Sequence, residues 1–185
     1  FNFDGTFMNN YKKPIGFIGI GLMGFSLVKR LLEVNYSINA YDKNEKRLEL
    51  FQNENKVSIC INPAEISQTC DFIFICVDKT ENVSDVIFGN NGIVQNASKN
   101  TIIIDLSTTL ADETINLSKR ISAEKGSSWV DAPVSGGPEK ALDGSLAIMV
   151  GGEQKDLEII SPILNDISSN FTHFGSVGSG QIVKM

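Results

Sequence analysis

The sequence predicts an α/β fold in which a mostly parallel sheet is doubly wound, with helices on both faces. Three observations carry this. From Pro14 onward short apolar runs alternate repeatedly with amphipathic stretches, and no Pro- or Gly-rich linker interrupts them. The apolar runs are continuous rather than alternating, as strands covered on both faces require. A glycine-rich turn lies directly between the first such run and the first amphipathic stretch.

Taken in order, Ile15 to Ile20 is the first strand, and the helix after it carries Met23, Leu27, Val28, Leu31 and Leu32 on one face. Ser37 to Tyr41 is the second strand, followed by a helix around Glu45 to Phe51 and a short strand near Val57 to Cys60. A helical turn after Pro63 leads to a buried strand from Phe72 to Val77. The β-branched run Thr101 to Asp105 is a further parallel strand, and Asp112 to Lys125 has a helical pattern. Trp129 to Val134 and Leu146 to Val150 are strands, Gln154 to Leu164 is a helix, and Asn170 to Phe174 is a last short strand before GSVGSG. The domain is expected over 14–180, after a poorly ordered lead-in over 1–13 and before the start of another helix at 181–185. There is no internal repeat.

The bulk composition narrows the function classes. A chain of 185 residues, 42% hydrophobic and 21% charged, can bury a sizeable single core. No apolar run reaches the roughly 18 residues of a membrane span. The net charge of -6 opposes phosphate backbones, so neither membrane nor nucleic acid is expected as a partner. Cys60, Cys70 and Cys76 have no metal-ligand spacing and read as small buried hydrophobes of a reduced interior. The opening FNFDGTFMNNYKK lacks a basic segment followed by an apolar one, so no secretory signal is read. A cytoplasmic location is expected, with an organelle matrix as the alternative.

Gly19-Ile20-Gly21-Leu22-Met23-Gly24 is a GxGxxG placed between strand and helix. The first glycine suits a tight turn, the second a close approach of backbone to a pyrophosphate, and the third close packing of helix on strand, whose N-terminus then faces the phosphates. Asp42 ends the second strand, where a carboxylate can accept from the adenosine ribose hydroxyls and repel a 2'-phosphate. Together they predict a Rossmann-like dinucleotide site that favours NAD over NADP, a preference that Lys43 and Arg47 soften.

Four segments then occur in order: GFIGIGLMG, DLSTT from Asp105 to Thr109, DAPVSGGPEKALDGSLAIMVGG from Asp131 to Gly152, and GSVGSGQIVK ending at Lys184. From about residue 14 to its end the chain resembles the 3-hydroxyisobutyrate dehydrogenase, or β-hydroxyacid dehydrogenase, family. That family includes tartronate semialdehyde reductases and is related to the 6-phosphogluconate dehydrogenases. The resemblance implies an NAD(P)-dependent oxidoreductase acting on a small 3-hydroxy acid, or on its semialdehyde in reverse. Lys184 matches the catalytic lysine, which exchanges a proton with the substrate oxygen while hydride passes to or from nicotinamide. An ammonium there also stabilises a developing alkoxide. Alone, Lys184 would read as a solvated lysine; the GxGxxxK frame reverses that. Ser135, Gly136 and Gly137 match the loop that holds the substrate carboxylate, a small hydroxyl beside two unobstructed backbone N–H groups, with a plain turn as the alternative. Val77, Asp78, Asn82 and Thr108 match cofactor contacts, the last two also readable as caps.

The chain departs from the family in three places. Val77-Asp78 replaces a common Leu-Pro pair, Leu110-Ala111 replaces a segment that often has proline, and the all-helical domain that follows the lysine in relatives is expected to be absent from this chain. That domain usually pairs subunits, so a homo-oligomer is implied for the full-length protein. Two other readings remain: a decarboxylating enzyme like 6-phosphogluconate dehydrogenase, and a non-catalytic NAD-binding module. His173, the single histidine, reads as a strand residue rather than a general base.

Overall fold

The computed structural model describes residues 11–185. Of the expected lead-in, residues 1–10 lie outside the described residues, while Tyr11 stacks on Phe72 with ring centroids 4.6 Å apart and Lys13 pairs with Asp71 at 2.9 Å. The chain is therefore seated on the sheet three residues before Pro14.

The elements follow the predicted alternation. They are β1 (Ile15–Ile18), α1 (Leu22–Glu33), β2 (Ile38–Tyr41), α2 (Glu45–Leu48) with a 3-10 turn at Glu49–Phe51, β3 (Val57–Ile59), α3 (Pro63–Thr69) and β4 (Phe72–Ile75). Then come α4 (Thr80–Phe88), β5 (Ile102–Asp105), α5 (Ala111–Lys125), β6 (Ser128–Asp131), β7 (Val134–Ser135), α6 (Gly137–Leu142), β8 (Leu146–Gly151), α7 (Gln154–Ile167), β9 (Ser168–Gly175) and α8 (Ser179–Lys184). Among the described residues these strands form one sheet in the order β3-β2-β1-β4-β5-β6-β8-β7, with β9 on β8. All pairs from β3 to β6 are parallel, β8 runs antiparallel to β6 and β7, and β9 is parallel to β8.

The alternation of side chains along continuous apolar strands builds two cores. Phe72 and Phe74 of β4 join Ile15, Phe17, Ile102 and Ile104 on one face, closed by Leu27, Val28 and Leu31 of α1 and Ile160, Ile163 and Leu164 of α7. Ile73 and Ile75 join Ile18 and Ile103 on the other, closed by Ile66 of α3, Val83 and Ile87 of α4, and Leu117 and Ile121 of α5. Helices thus cover both faces, and the order reverses between β1 and β4, leaving a crevice at the carboxyl ends of those strands.

Two details differ from the sequence reading. The strand expected over Trp129 to Val134 is divided at Ala132-Pro133, because Pro133 has no N–H to give to a ladder; the pairing of β6 and β7 with β8 nevertheless keeps one register across the break. Helices α4 and α6 were not anticipated. Both are short, and α6 buries only Ala141, too little to show a helical stripe in sequence. The three cysteines are free, and burial pushes the thiols of Cys60, Cys70 and Cys76 up to about 12, 11 and 12, so they stay protonated and inert. No helix among the described residues is long and apolar enough to cross a membrane.

Candidate functional site

The carboxyl edge of the sheet gathers the loops that follow β1, β2, β4, β5 and β6. In the first, Gly19 has φ +98°, and a Cβ there would lie 2.1 Å from the Cys76 carbonyl oxygen. A Cβ on Gly24 would lie 1.9 Å from the Gly19 carbonyl oxygen, so α1 can sit this close to the turn only with glycine at both positions. Gly21 differs: a Cβ there would meet nothing within 4 Å. Gly21 also caps α1 without a side chain, and the first turn carries no acidic residue, so the leading N–H groups of this helix face open space at the crevice. Leu22 is 83% exposed and Met23 packs at the rim of the core, so both flank that opening. These features fit a pyrophosphate, which needs backbone donors, a helix N-terminus and no Cβ.

Asp42 is buried at the end of β2. Its Oδ2 accepts from the Ile20 N–H at 2.7 Å and its Oδ1 from the Asn44 N–H at 2.8 Å. The Arg47 guanidinium stands 3.3 Å from Oδ2. The carboxylate expected to meet a ribose is therefore also the anchor of the glycine turn. With three of its roughly four lone-pair directions taken, one remains for a hydroxyl.

Between β4 and β5 the edge is tied by the Val77 N–H, which donates to Ser107 Oγ at 3.0 Å, and the Leu106 N–H, which donates to the Ile75 carbonyl at 2.8 Å. Asn82, on the first turns of α4, donates to the exposed carboxylate of Asp78 at 2.5 Å. That hydrogen bond, helped by Lys43 and Lys79, holds the Asp78 carboxyl below its ordinary range. Thr108 is exposed between buried Ser107 and Thr109, so of the three it alone presents its hydroxyl outward. Beyond β6, Ser135 is exposed on β7, Gly136 and Gly137 have φ of +138° and +77°, and a Cβ on Gly137 would meet nothing within 4 Å.

The residues that sequence reading missed lie beneath this edge. Asp131 ends β6, fully buried, and its Oδ1 and Oδ2 accept the Gly178 and Gln181 N–H groups at 2.7 and 3.0 Å. The short helix α8 has no cap of its own, so a carboxylate from the sheet serves as one. Gly180 permits that approach, since a Cβ there would be 2.4 Å from the Met149 carbonyl oxygen and 2.8 Å from Asp131 Oδ2. Asp105, the register partner of Asp131 on β5, is also fully buried; its Oδ1 accepts from the Ser107 N–H at 3.0 Å, and its Oδ2 has no partner among the described residues. Burial, with Asp131 adding to it, pushes the Asp105 carboxyl up to about 7, and burial likewise raises that of Asp131. Gln181 was visible only as a letter inside the GxGxxxK frame, yet it is fully buried. Its side-chain amide donates to the Ser107 carbonyl at 2.7 Å and accepts from the Thr109 N–H at 3.0 Å. Lys184, half-buried in the last turn of α8, has no hydrogen bond or ion pair among the described residues. His173 Nε2 stands 2.8 Å from the carbonyl oxygens of both Gly152 and Gly175; carbonyls only accept, so that nitrogen carries the ring proton and staples β9 to the turn after β8.

Residues 14–175 match the family described as the NAD binding domain of 6-phosphogluconate dehydrogenase. The chain is 36% identical over 177 residues to the uncharacterised oxidoreductase YkwC of Bacillus subtilis, covering 94% of this chain and 60% of that protein. It is 34% identical to the 2-(hydroxymethyl)glutarate dehydrogenase of Eubacterium barkeri, covering 92% of this chain and 56% of that one. Among solved structures, the Mycobacterium tuberculosis 3-hydroxyisobutyrate dehydrogenase with L-serine superposes with a TM-score of 0.85 at 25% identity, over 93% of this chain and 57% of that one. The chain therefore spans somewhat more than half the length of these relatives.

Proposed function

From its match over residues 14–175, the chain belongs to the family of NAD binding domains of 6-phosphogluconate dehydrogenase, and on that premise we propose that it is the cofactor half of an oxidoreductase of small 3-hydroxy acids. The reaction is oxidation of a 3-hydroxyisobutyrate-like acid to its semialdehyde, or the reverse reduction. The observation that carries the reading is that one sheet carries, past the end of β1, an open helix N-terminus at Gly21 and, on a helix docked at the end of β6, a lysine unpartnered among the described residues.

In this reading residues 19–24 hold the pyrophosphate. Asp42 serves the adenosine ribose, and Val77, Asp78, Asn82 and Thr108 border the nicotinamide side. Ser135, Gly136 and Gly137 take the substrate carboxylate, for which Gly137 leaves open space. NAD, when bound, supplies the hydride acceptor. Lys184 exchanges the proton of the substrate oxygen; its Nζ has no competing partner among the described residues, which leaves it available for that oxygen. NAD is the favoured cofactor because Asp42 is anionic, with NADP second because Arg47 offsets part of that charge. The full-length protein is proposed to self-associate and, with three unpaired thiols, to reside in the cytoplasm, an organelle matrix being the alternative. The family's description keeps a decarboxylating reaction on a phosphorylated 3-hydroxy acid as a second reading.

The test is NAD reduction by the full-length protein against a panel of 3-hydroxy acids, with and without a phosphate, alongside Lys184→Met. Turnover on a non-phosphorylated acid that falls by about 10²-fold or more in the variant supports the reading. Release of CO2 from the phosphorylated acid favours the second, and equal turnover by the variant removes Lys184 from the chemistry.

A further inference from the structure

We propose that Gln181 is a positioning residue that sets the Lys184 amine against the cofactor side of the cleft, an inference that rests on the function proposed above. Helix α8 has six residues, too few to hold a helical conformation unaided. Its placement therefore comes from tertiary anchors, and two of these meet at Gln181. The backbone N–H of Gln181 is fixed by Asp131 Oδ2 at 3.0 Å, and the side chain reaches in the other direction to the loop after β5. There it reads both polarities, giving a hydrogen to the Ser107 carbonyl at 2.7 Å and taking one from the Thr109 N–H at 3.0 Å.

That loop is not neutral ground. Ser107 Oγ accepts the N–H of Val77, and Thr108 between the two bonded residues is the one whose side chain is exposed at the edge. One amide thus locks the helix that ends in Lys184 to the loop after β5, which Ser107 in turn ties to the loop after β4, with the lysine a single turn further along. The requirement is specific. Asparagine is one methylene too short to span the same two groups, and a glutamate would set a carboxylate lone pair against the Ser107 carbonyl oxygen, which has no hydrogen to give. No other side chain is seen bridging α8 to this loop among the described residues, so rotation of α8 is resisted at this point.

The experiment compares the full-length protein with Gln181→Met, which keeps length and volume but removes both bonds, and with Gln181→Glu. Each is assayed below its own unfolding temperature for kcat, substrate KM and NAD affinity. A misplacement of the amine lowers kcat by about 10²-fold while KM and NAD affinity stay within about threefold. Gln181→Glu regains kcat as pH falls, because the protonated acid again donates to Ser107 and accepts from Thr109. Gln181→Met with parental kcat, or with kcat and NAD affinity falling together, overturns the inference. If Gln181→Met does not fold, Gln181→Glu decides alone, and a flat ratio of its kcat to the parent's across pH overturns it. A parent inactive on every hydroxy acid would instead overturn the function itself.

Discussion

Asp131 and Gln181, 50 residues apart in sequence, meet where the carboxylate Oδ2 of one accepts the backbone N–H of the other at 3.0 Å. The second oxygen of the same carboxylate accepts from Gly178, so one buried acid satisfies two of the leading N–H groups of α8. The charge also opposes the positive end of that helix. Asp131→Asn keeps the shape but sets an amide NH2 against one of the two N–H donors. Its cost is about 2 kcal/mol of stability, from an unsatisfied buried donor and a lost cap. Urea unfolding of parent and variant checks it; a difference below about 0.5 kcal/mol would show that water replaces the cap.

Asp105 makes stability depend on pH in a direction opposite to most carboxylates. Burial raises its folded-state value to about 7, above that of the unfolded chain. The native state then binds the proton more tightly, and the slope of unfolding free energy with pH is negative between the two values. The contribution is fully present below the unfolded value and is lost as pH rises through about 7. Asp105→Asn, neutral at every pH, removes that dependence. Unfolding free energies of parent and variant, measured across this range, should diverge as pH rises, the parent losing relative to the variant. A constant difference would mean that Asp105 stays ionised in the fold.

How much of this was legible in the sequence depends on whether a residue's environment is local. The sheet strands were readable because each carries its own covering in its composition: Ile102, Ile103 and Ile104 are apolar on consecutive positions, and the structure buries all three. The glycine turn was readable because its neighbours in sequence, strand and helix, are also its neighbours in space. Asp105, Asp131 and Gln181 were not, since a polar residue inside a strand or a terminal helix gives no sign of burial until distant segments close over it. The same holds for Asp42, whose acceptor role was anticipated for a sugar while its bond to Ile20 runs within the protein. Ser107 was quoted inside its motif, but its link to Val77 spans 30 residues and has no trace in spacing.

The glycines of the turn separate packing from binding. Gly24→Ala forces a Cβ into the Gly19 carbonyl oxygen, 1.9 Å away, and α1 must move; about 3 kcal/mol of stability is lost. Gly21→Ala meets nothing within 4 Å, so stability stays within about 0.5 kcal/mol of the parent. The added methyl instead enters the space proposed for the pyrophosphate, and NAD binding weakens by about tenfold or more. Thermal unfolding and calorimetric titration of the two variants read these separately. Equal NAD affinity for parent and Gly21→Ala would place the phosphates elsewhere.

Arg47 and Asp42 together tune the cofactor choice, and removing them in turn shows how. With the guanidinium 3.3 Å from Oδ2, part of the carboxylate's charge is offset before any 2'-phosphate approaches. Arg47 is half exposed, so water screens this offset and its effect is modest. Arg47→Ala leaves Asp42 uncompensated, and the ratio of NAD to NADP affinity rises, by about three- to tenfold. Asp42→Ala acts the other way on the ratio, because repulsion is gone and Arg47 is free to meet a phosphate. It also loosens the turn by releasing the Ile20 N–H, so NAD affinity falls in absolute terms as well. Titration of each variant with both cofactors gives the four affinities. Opposite changes in the ratio support the paired role; a ratio that moves the same way in both variants would show that Arg47 acts on the cofactor independently of Asp42.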